Sequence, residues 1–477
     1  MLSDHIKAQI YGNFGFEPTF GQKKVIENLA DYISSGDTET IFMINGYAGT
    51  GKTLLIAALV KTLSDLKIRS ILMAPTGRAA KVMSRYAGQK AYTIHKQIYR
   101  QKSLSSSEIE FSLDVNKMSD AVFIVDEASM LANSTGETSI FGSGNLLDDL
   151  VKYVRSGKRC RLIIVGDSAQ LPPVGLDESP ALDPRRMEVY GPVRDYLLDE
   201  VVRQEYESGI LFNATLVRCM LEAGITDIPL FDTSFPDVES LEGGDILESI
   251  QDAYDRYGME ETIVITRSNK RANRFNEAIR RNVRFAEEEI ESGDMLMVVK
   301  NNYYYAEKLN EEENGSGIDF IANGDTARLA RIRRFEELYG FRFAETDLAF
   351  PDYDDFTLRC KILLDTLASD SPSLTREQGS RFFFSVAEDY AEIPSKAKRY
   401  KEVRENPYFN AMQVKFAYAI TCHKSQGGQW KCVFIDKMLF GEEEISRDLL
   451  RWLYTAITRA TVKLYFINFE ERFFENK

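Results

Sequence analysis

The sequence predicts an α/β protein of two parallel-sheet units, the second interrupted by a mostly β insertion. Three observations carry this. Short apolar runs at Ile41–Ile44, Ile71–Ala74, Val122–Val125 and Leu162–Val165 are separated by helix-length segments such as Leu54–Leu66. A second series, Thr262–Thr266, Val433–Ile435 and Val462–Ile467, repeats the texture later in the chain. Continuous apolar runs of this length read as strands buried on both faces, the pattern of parallel sheets in βαβ units. Between about Phe285 and Asn410 the texture changes to a tyrosine triplet (Tyr303, Tyr304, Tyr305), an Asn314–Gly317 turn, acidic runs and few helical periodicities.

These elements divide the chain. A first core is expected over 1–98 and 118–200, a second over 201–284 and 411–477, and a β-rich inserted domain over 285–410. A smaller insertion spans 99–117, where Ile109, Phe111, Leu113 and Val115 alternate with polar residues, the period of a half-exposed strand. Ser103–Ser107 supplies a turn before it. A length of 477 residues suits about three domains.

Composition narrows the class. With 44% hydrophobic and 28% charged residues, dominant disorder is excluded. No apolar run approaches the ~18–20 residues of a spanning helix, so no membrane partner is expected. The opening residues lack the charged and apolar regions of a secretory signal. Five scattered cysteines without CxxC pairing fit reduced thiols in the cytoplasm rather than a disulfide framework or zinc site. The formal charge is −14, yet no acidic residue occurs between Asp65 and Glu108. That stretch holds nine cations: Lys67, Arg69, Arg78, Lys81, Arg85, Lys90, Lys96, Arg100 and Lys102. It reads as a local anion-facing surface in an acidic chain. Lys396, Lys398, Arg399 and Lys401 form a weaker cluster.

Three motifs carry chemistry. Gly46-Tyr47-Ala48-Gly49-Thr50-Gly51-Lys52-Thr53 matches GxxxxGK[ST] between an expected strand and helix. Such a loop wraps phosphates with backbone N–H groups, extends Lys52 to the β/γ-phosphates and offers the Thr53 hydroxyl to Mg²⁺. Asp126 and Glu127 end the strand at Val125; in a P-loop ATPase the first carboxylate holds Mg²⁺, and the second orients or deprotonates the attacking water. Gly166-Asp167-Ser168-Ala169-Gln170-Leu171-Pro172-Pro173-Val174 ends another strand, with Gln170 able to hydrogen-bond the γ-phosphate or that water.

Together these motifs resemble the superfamily-one helicases, specifically the class B, RecD/Dda-like group that moves 5′→3′ on single-stranded DNA. Further matches follow in that family's order, from about Phe14 to Ala460. Pro18-Thr19-Phe20-Gly21-Gln22 resembles the motif whose Gln reads adenine. Ala74-Pro75-Thr76-Gly77-Arg78-Ala79-Ala80-Lys81 and Thr93-Ile94-His95-Lys96 resemble the two DNA-contacting segments of the first core, and both fall inside the acid-free stretch. Val201-Val202-Arg203-Gln204 resembles the motif whose Arg meets the γ-phosphate, and Asn323-Gly324-Asp325 a short motif of the insertion. Tyr418-Ala419-Ile420-Thr421-Cys422-His423-Lys424-Ser425-Gln426-Gly427 resembles the DNA-binding and nucleotide-coupling motif of the second core. Leu453-Tyr454-Thr455-Ala456-Ile457-Thr458-Arg459-Ala460 resembles the final motif with its arginine finger. Gln429 stands where relatives often carry a ribose-binding Glu.

The resemblance implies two RecA-like domains with a pin hairpin at 99–117 and a small-barrel-like insertion. It implies ATP and Mg²⁺ as cofactors, single-stranded and forked duplex DNA as partners, and a monomer. Catalysis would rest on Lys52, Asp126, Glu127, Gln170, Arg203 and Arg459, with Gln22 and Gly427 joining the P-loop in holding nucleotide. DNA contacts would fall to Pro75, Thr76, Arg78, Lys81, Thr93, His95, Lys96, Pro173, Val174, Thr421, His423 and Lys424. The alternatives are a translocase that displaces bound proteins and unwinds weakly, and a P-loop switch without motor activity. RNA as substrate stays open.

Overall fold

The computed structural model describes residues 2–101, 111–133, 142–201, 208–305, 308, 321–351, 356–437 and 445–475. Arg203, Ile109, Lys102 and the Asn314–Gly317 turn lie outside them. The apolar runs of the first half form strands β1 (Ile41–Gly46), β2 (Ser70–Ala74) and β3 (Ala91–Thr93). A short antiparallel pair, β4 (Tyr99–Gln101) and β5 (Phe111–Leu113), follows, and β6 (Val122–Val125), β7 (Arg161–Gly166) and β8 (Val193–Leu198) complete the series. Six of these make one sheet, ordered β3-β2-β6-β7-β1-β8, with every pairing parallel. β1, β2, β6 and β7 are buried along their whole lengths, which is why they read as unbroken apolar runs. Helices Leu2–Phe14, Phe20–Ser34, Lys52–Asp65 and Gly77–Ala87 contribute to the core on one face of this sheet, and Leu146–Ser156 to the core on the other.

The second parallel sheet contains β9 (Val238–Leu241) and β10 (Thr262–Thr266), completed by β16 (Ala419–Thr421), β17 (Trp430–Asp436) and β18 (Ala460–Ile467), in the order β16-β10-β17-β18-β9. Between β10 and β16 the chain leaves to build a closed barrel of β11 (Met295–Val298), β12 (Thr326–Leu338), β13 (Phe341–Phe350), β14 (Phe356–Leu363) and β15 (Met412–Phe416). The fold is therefore two RecA-like parallel-sheet cores with a small β-barrel inserted in the second.

Three expectations need correction. The barrel closes on Met412–Phe416, beyond the expected limit at 410, because β15 pairs with both β11 and β14. The insertion also carries two helices, Arg376–Glu388 and Lys396–Glu405, where little helical periodicity was read; their Phe382, Val386 and Val403 pack on Phe341, Phe343 and Leu363 of the barrel. The lysines of the weaker cationic cluster are exposed on the second of these helices. Lastly, Tyr304 and Tyr305, placed within the mostly β insertion, begin a helical turn.

A charged knot fixes the barrel to the second core. Asp294, wholly buried, accepts from Arg280 Nε at 3.1 Å and Nη2 at 3.0 Å, and from the Tyr418 hydroxyl at 2.8 Å. Arg284 Nη1 stands 3.6 Å away. Removing one member leaves buried charge uncompensated, so Asp294→Ala is expected to destabilise the fold by about 3–5 kcal/mol. Chemical denaturation measures this; a loss below about 1 kcal/mol would contradict it.

Candidate active site and nucleic-acid interface

Three chemistry-bearing loops leave neighbouring strands at their C-terminal ends, the edge where open α/β sheets place ligands. The P-loop follows β1, Gly166-Asp167 follows β7 beside it, and Asp126-Glu127 follows β6 next along. Gly49 and Gly51 hold φ of 75° and 77°, the left-handed turn that lets the loop curl into the helix Lys52–Asp65. Lys52 Nζ folds back to donate to the carbonyls of Gly46 at 2.5 Å and Tyr47 at 2.7 Å. A side chain at position 46 would meet Lys52 Cγ and Cδ at 2.9 Å, so this lysine path requires glycine there. Thr53 is exposed in the first helical turn.

Gln22 is bound on both sides. Its amide oxygen accepts from Thr19 N–H at 2.9 Å, closing a capping box on the helix Phe20–Ser34, and its Nε2 donates to the Thr50 carbonyl at 2.9 Å. With 1% of its surface exposed, it braces the P-loop in this structure. Phe20 beside it is 78% exposed.

Asp126 Oδ1 accepts from the Glu127 N–H at 2.8 Å, and Oδ2 accepts from the Tyr86 hydroxyl. Glu127 sits at φ 53°, ψ 36°, a left-handed backbone uncommon for a residue with a side chain. Burial pushes both carboxyls above their usual range; for Glu127 the Asp126 charge adds to this, while Arg459 opposes it. Two half-buried carboxylates so placed fit a divalent cation. Magnesium is usually held by one or two carboxylates plus phosphates, and this pair offers the carboxylates. Among the described residues, Gln170 Oε1 and Ser129 Oγ are buried without a hydrogen-bond partner, as polar groups that bind a ligand would be.

The second core meets these loops directly, through contacts the sequence did not disclose. Tyr454, 1% exposed on the helix Arg447–Ile457, accepts from the P-loop Ala48 N–H at 2.8 Å and donates to Asp167 Oδ2 at 2.7 Å. Leu171 N–H donates to Thr455 Oγ1 at 2.8 Å, and Gln426 Nε2 to the Leu171 carbonyl at 2.8 Å. Arg218 lies 4.6 Å from the centre of the Tyr47 ring. Arg459 is 3% exposed; its Nε donates to Thr455 O at 3.0 Å, Nη1 to Gly428 O at 3.1 Å and Nη2 to Thr458 Oγ1 at 3.1 Å. A guanidinium has five N–H donors, so two remain.

The expected DNA contacts lie further along the strand ends. Thr76 caps the helix Gly77–Ala87 by accepting from Ala79 N–H at 3.2 Å, and Thr93 caps Ile94–Ile98 by accepting from Lys96 N–H at 3.2 Å. Thr93 pairs with Ala74 across β3 and β2, bringing the two segments together. In the second sheet Thr421 pairs with Thr266 in the same way. Gly427, at φ 74°, admits no side chain: a Cβ would meet Ala79 Cβ at 2.6 Å. A Cβ on Gly77 would meet Asp325 Oδ1 at 2.7 Å. First core, second core and barrel therefore meet at this one helix start.

Arg78 does not face an open surface. Its guanidinium stacks 3.9 Å from the Trp430 ring centre in the second core, and burial lowers its pKa to about 10. Burial also lowers His95 to about 4 and His423 below its usual value, so His95 is neutral near pH 7. Lys424 falls to about 8 through burial and then the Lys415 charge. Lys96 Nζ stands over the Tyr92 ring at 4.9 Å. Lys81 and Pro173 are half-buried and Val174 is 84% exposed. Of the aromatics near the motifs, Tyr99 and Tyr418 are buried, each with its hydroxyl hydrogen-bonded to a buried aspartate, Asp149 or Asp294.

Comparisons with known proteins fall on the same two cores. Residues 32–176 match a family model described as an AAA domain, and residues 416–467 match the UvrD-like helicase C-terminal domain. An uncharacterized protein of Acanthamoeba polyphaga mimivirus is 23% identical over 94% of this chain and 99% of its own length. A second uncharacterized protein, from Methanocaldococcus jannaschii, is 24% identical over 90% of this chain, which spans 36% of that relative. The ATP-dependent RecD2 DNA helicase of Deinococcus radiodurans is 27% identical over 33% of this chain and 19% of its own length. Among solved structures, the Pif1 helicase from Candida albicans has a TM-score of 0.46 at 16% identity, covering 96% of each chain. Among the described residues, no helix is long and apolar enough to cross a membrane. The AAA model thus falls on the P-loop core and the UvrD-like helicase C-terminal model on the second core, in the same order as the motifs along the chain.

Proposed function

We propose that the protein is an ATP-dependent DNA helicase that translocates 5′→3′ on single-stranded DNA and unwinds duplex, hydrolysing ATP between its two cores. The observation that carries this reading is the seam between them. One end of the seam joins the P-loop to Tyr454; the other joins Thr76 and Ala79 to Gly427. A motor needs this geometry, because closing on nucleotide at one end then shifts the polynucleotide grip at the other.

Each side chain has a task in that reading. Lys52 exchanges two loop carbonyls for phosphate oxygens, while P-loop N–H groups, Ala48 among them, turn to the phosphates. Asp126 and Thr53 would hold the magnesium, which when bound neutralises phosphate charge. Glu127, at its left-handed backbone position, polarises the attacking water, and the unpartnered Gln170 oxygen accepts a hydrogen bond from it. Arg459 brings its two remaining N–H groups against the γ-phosphate from the second core. Arg203 is proposed for the same task. Thr76, Thr93, Thr421, His95, His423, Lys96 and Lys424 would line the strand path, with Lys81, Pro75, Pro173 and Val174 at its border.

The test is ATP hydrolysis with and without single-stranded DNA, joined to DNA affinity as salt and pH rise. Stimulation severalfold or more is expected. Despite the −14 net charge, log affinity should fall linearly with log salt, by about 0.7 per phosphate neutralised. Lys424 adds a pH term. Its free-state pKa near 8 lies below that of a phosphate-bound amine, so binding takes up protons and affinity should fall between pH 7 and 9. A chain whose hydrolysis ignores DNA is a switch, not a motor.

A further inference from the structure

The helix Gly77–Ala87 has different neighbours at its two ends. Its start is the meeting point of both cores and the barrel, through Gly77 against Asp325, Ala79 against Gly427, and Arg78 on Trp430. Its last turn carries Tyr86, whose hydroxyl donates to Asp126 Oδ2. Between them Ala79, Ala80 and Met83 are buried against the first core. Ser84 ties the helix to β3, accepting from Ala91 N–H at 2.7 Å just before Thr93. Eleven residues at 1.5 Å each make a rod about 16 Å long, without an internal proline to bend it.

We propose that Tyr86 is a positioning residue that transmits polynucleotide occupancy at Thr76–Arg78 to the Asp126 carboxylate. This rests on the helicase reading above. Oδ1 of Asp126 is held by its neighbour's N–H, so the orientation of Oδ2 depends on where the phenol sits. A hydrogen bond from a hydroxyl to a carboxylate is short, strong and steep in distance. A shift of the helix by a few tenths of an ångström therefore turns the carboxylate or releases it. Strand bound against Thr76 fixes the rod, and the rod fixes the carboxylate. By linkage, the factor by which DNA changes nucleotide affinity through this bond is also the factor by which nucleotide changes DNA affinity.

Tyr86→Phe removes the hydroxyl and keeps the ring. The measurements are single-stranded DNA affinity by fluorescence anisotropy, with and without a non-hydrolysable ATP analogue, and the ratio of DNA-stimulated to unstimulated hydrolysis. Nucleotide-free DNA affinity is expected within about twofold of the parent, whereas both coupling factors fall about tenfold, the size of a hydrogen bond to a charged group. Tyr86→Leu should lose coupling to the same degree. Unchanged coupling in Tyr86→Phe overturns the proposal. So does uncoupling in the Leu variant alone, which would trace the effect to ring packing. If the parent protein itself shows no DNA stimulation, the helicase reading fails and this inference fails with it; retained stimulation in the Phe variant removes only the inference.

Discussion

Lys52→Ala is expected to lower ATP turnover by on the order of 10²–10³ or more while single-stranded DNA binding stays near the parental level. The two effects separate because the residues do. Lys52 rests on the Gly46 and Tyr47 carbonyls inside the loop, while Thr76, Thr93 and Thr421 stand at other strand ends. The alanine variant loses the cation that meets the β/γ-phosphates and touches none of the strand path. Steady-state hydrolysis and DNA anisotropy on the same preparation check both halves. Near-normal turnover would remove the P-loop assignment.

Arg459→Ala is expected to cost on the order of 10³-fold in kcat, with a much smaller change in ATP affinity. A charge that acts on the γ-phosphate in the transition state contributes little to ground-state binding. The structure adds a control. Arg459 also ties Thr455, Gly428 and Thr458 together within the second core, so alanine removes structure as well as charge. Arg459→Lys keeps the charge but loses the planar fork. If the finger acts mainly by charge, lysine recovers part of kcat; if kcat is preserved in the alanine variant and only affinity falls, the residue is structural.

Much of the site was legible because it is local in sequence. The P-loop, the Asp126-Glu127 pair and the Gln170 segment each follow an apolar run directly, so strand, turn and chemistry are read in one window. The contacts between cores are not local. Tyr454 meets Ala48 and Asp167 from several hundred residues away, and no periodicity in its helix announces that. Arg78 looked like one cation of an anion-facing surface, but its partner Trp430 belongs to the other sheet. Tyr86 drew no reading at all, because its bond to Asp126 exists only once β2 and β6 lie side by side.

Within the insertion, change of texture located the β unit but not its end. β15 alternates apolar Met412 and Val414 with Gln413 and Lys415, a barrel-strand pattern that the sequence reading assigned to the following core. The helix Arg376–Glu388 did leave a signal: Thr375 and Gln378 form a capping box ahead of it, a Thr-x-x-Gln start that its phenylalanine run obscured. β8, with Arg194 and Asp195 in its middle, escaped notice as an edge strand exposes polar side chains that central strands cannot.

Strand separation with polarity is the central claim, and one assay addresses it most directly: ATP-driven unwinding of a duplex bearing a single-stranded tail at either its 5′ or its 3′ end. A motor that loads on a single strand and moves 5′→3′ unwinds the duplex with the 5′ tail and leaves its 3′-tailed counterpart paired. Preference for the 3′ tail, or no unwinding of either alongside robust DNA-stimulated hydrolysis, would contradict the account.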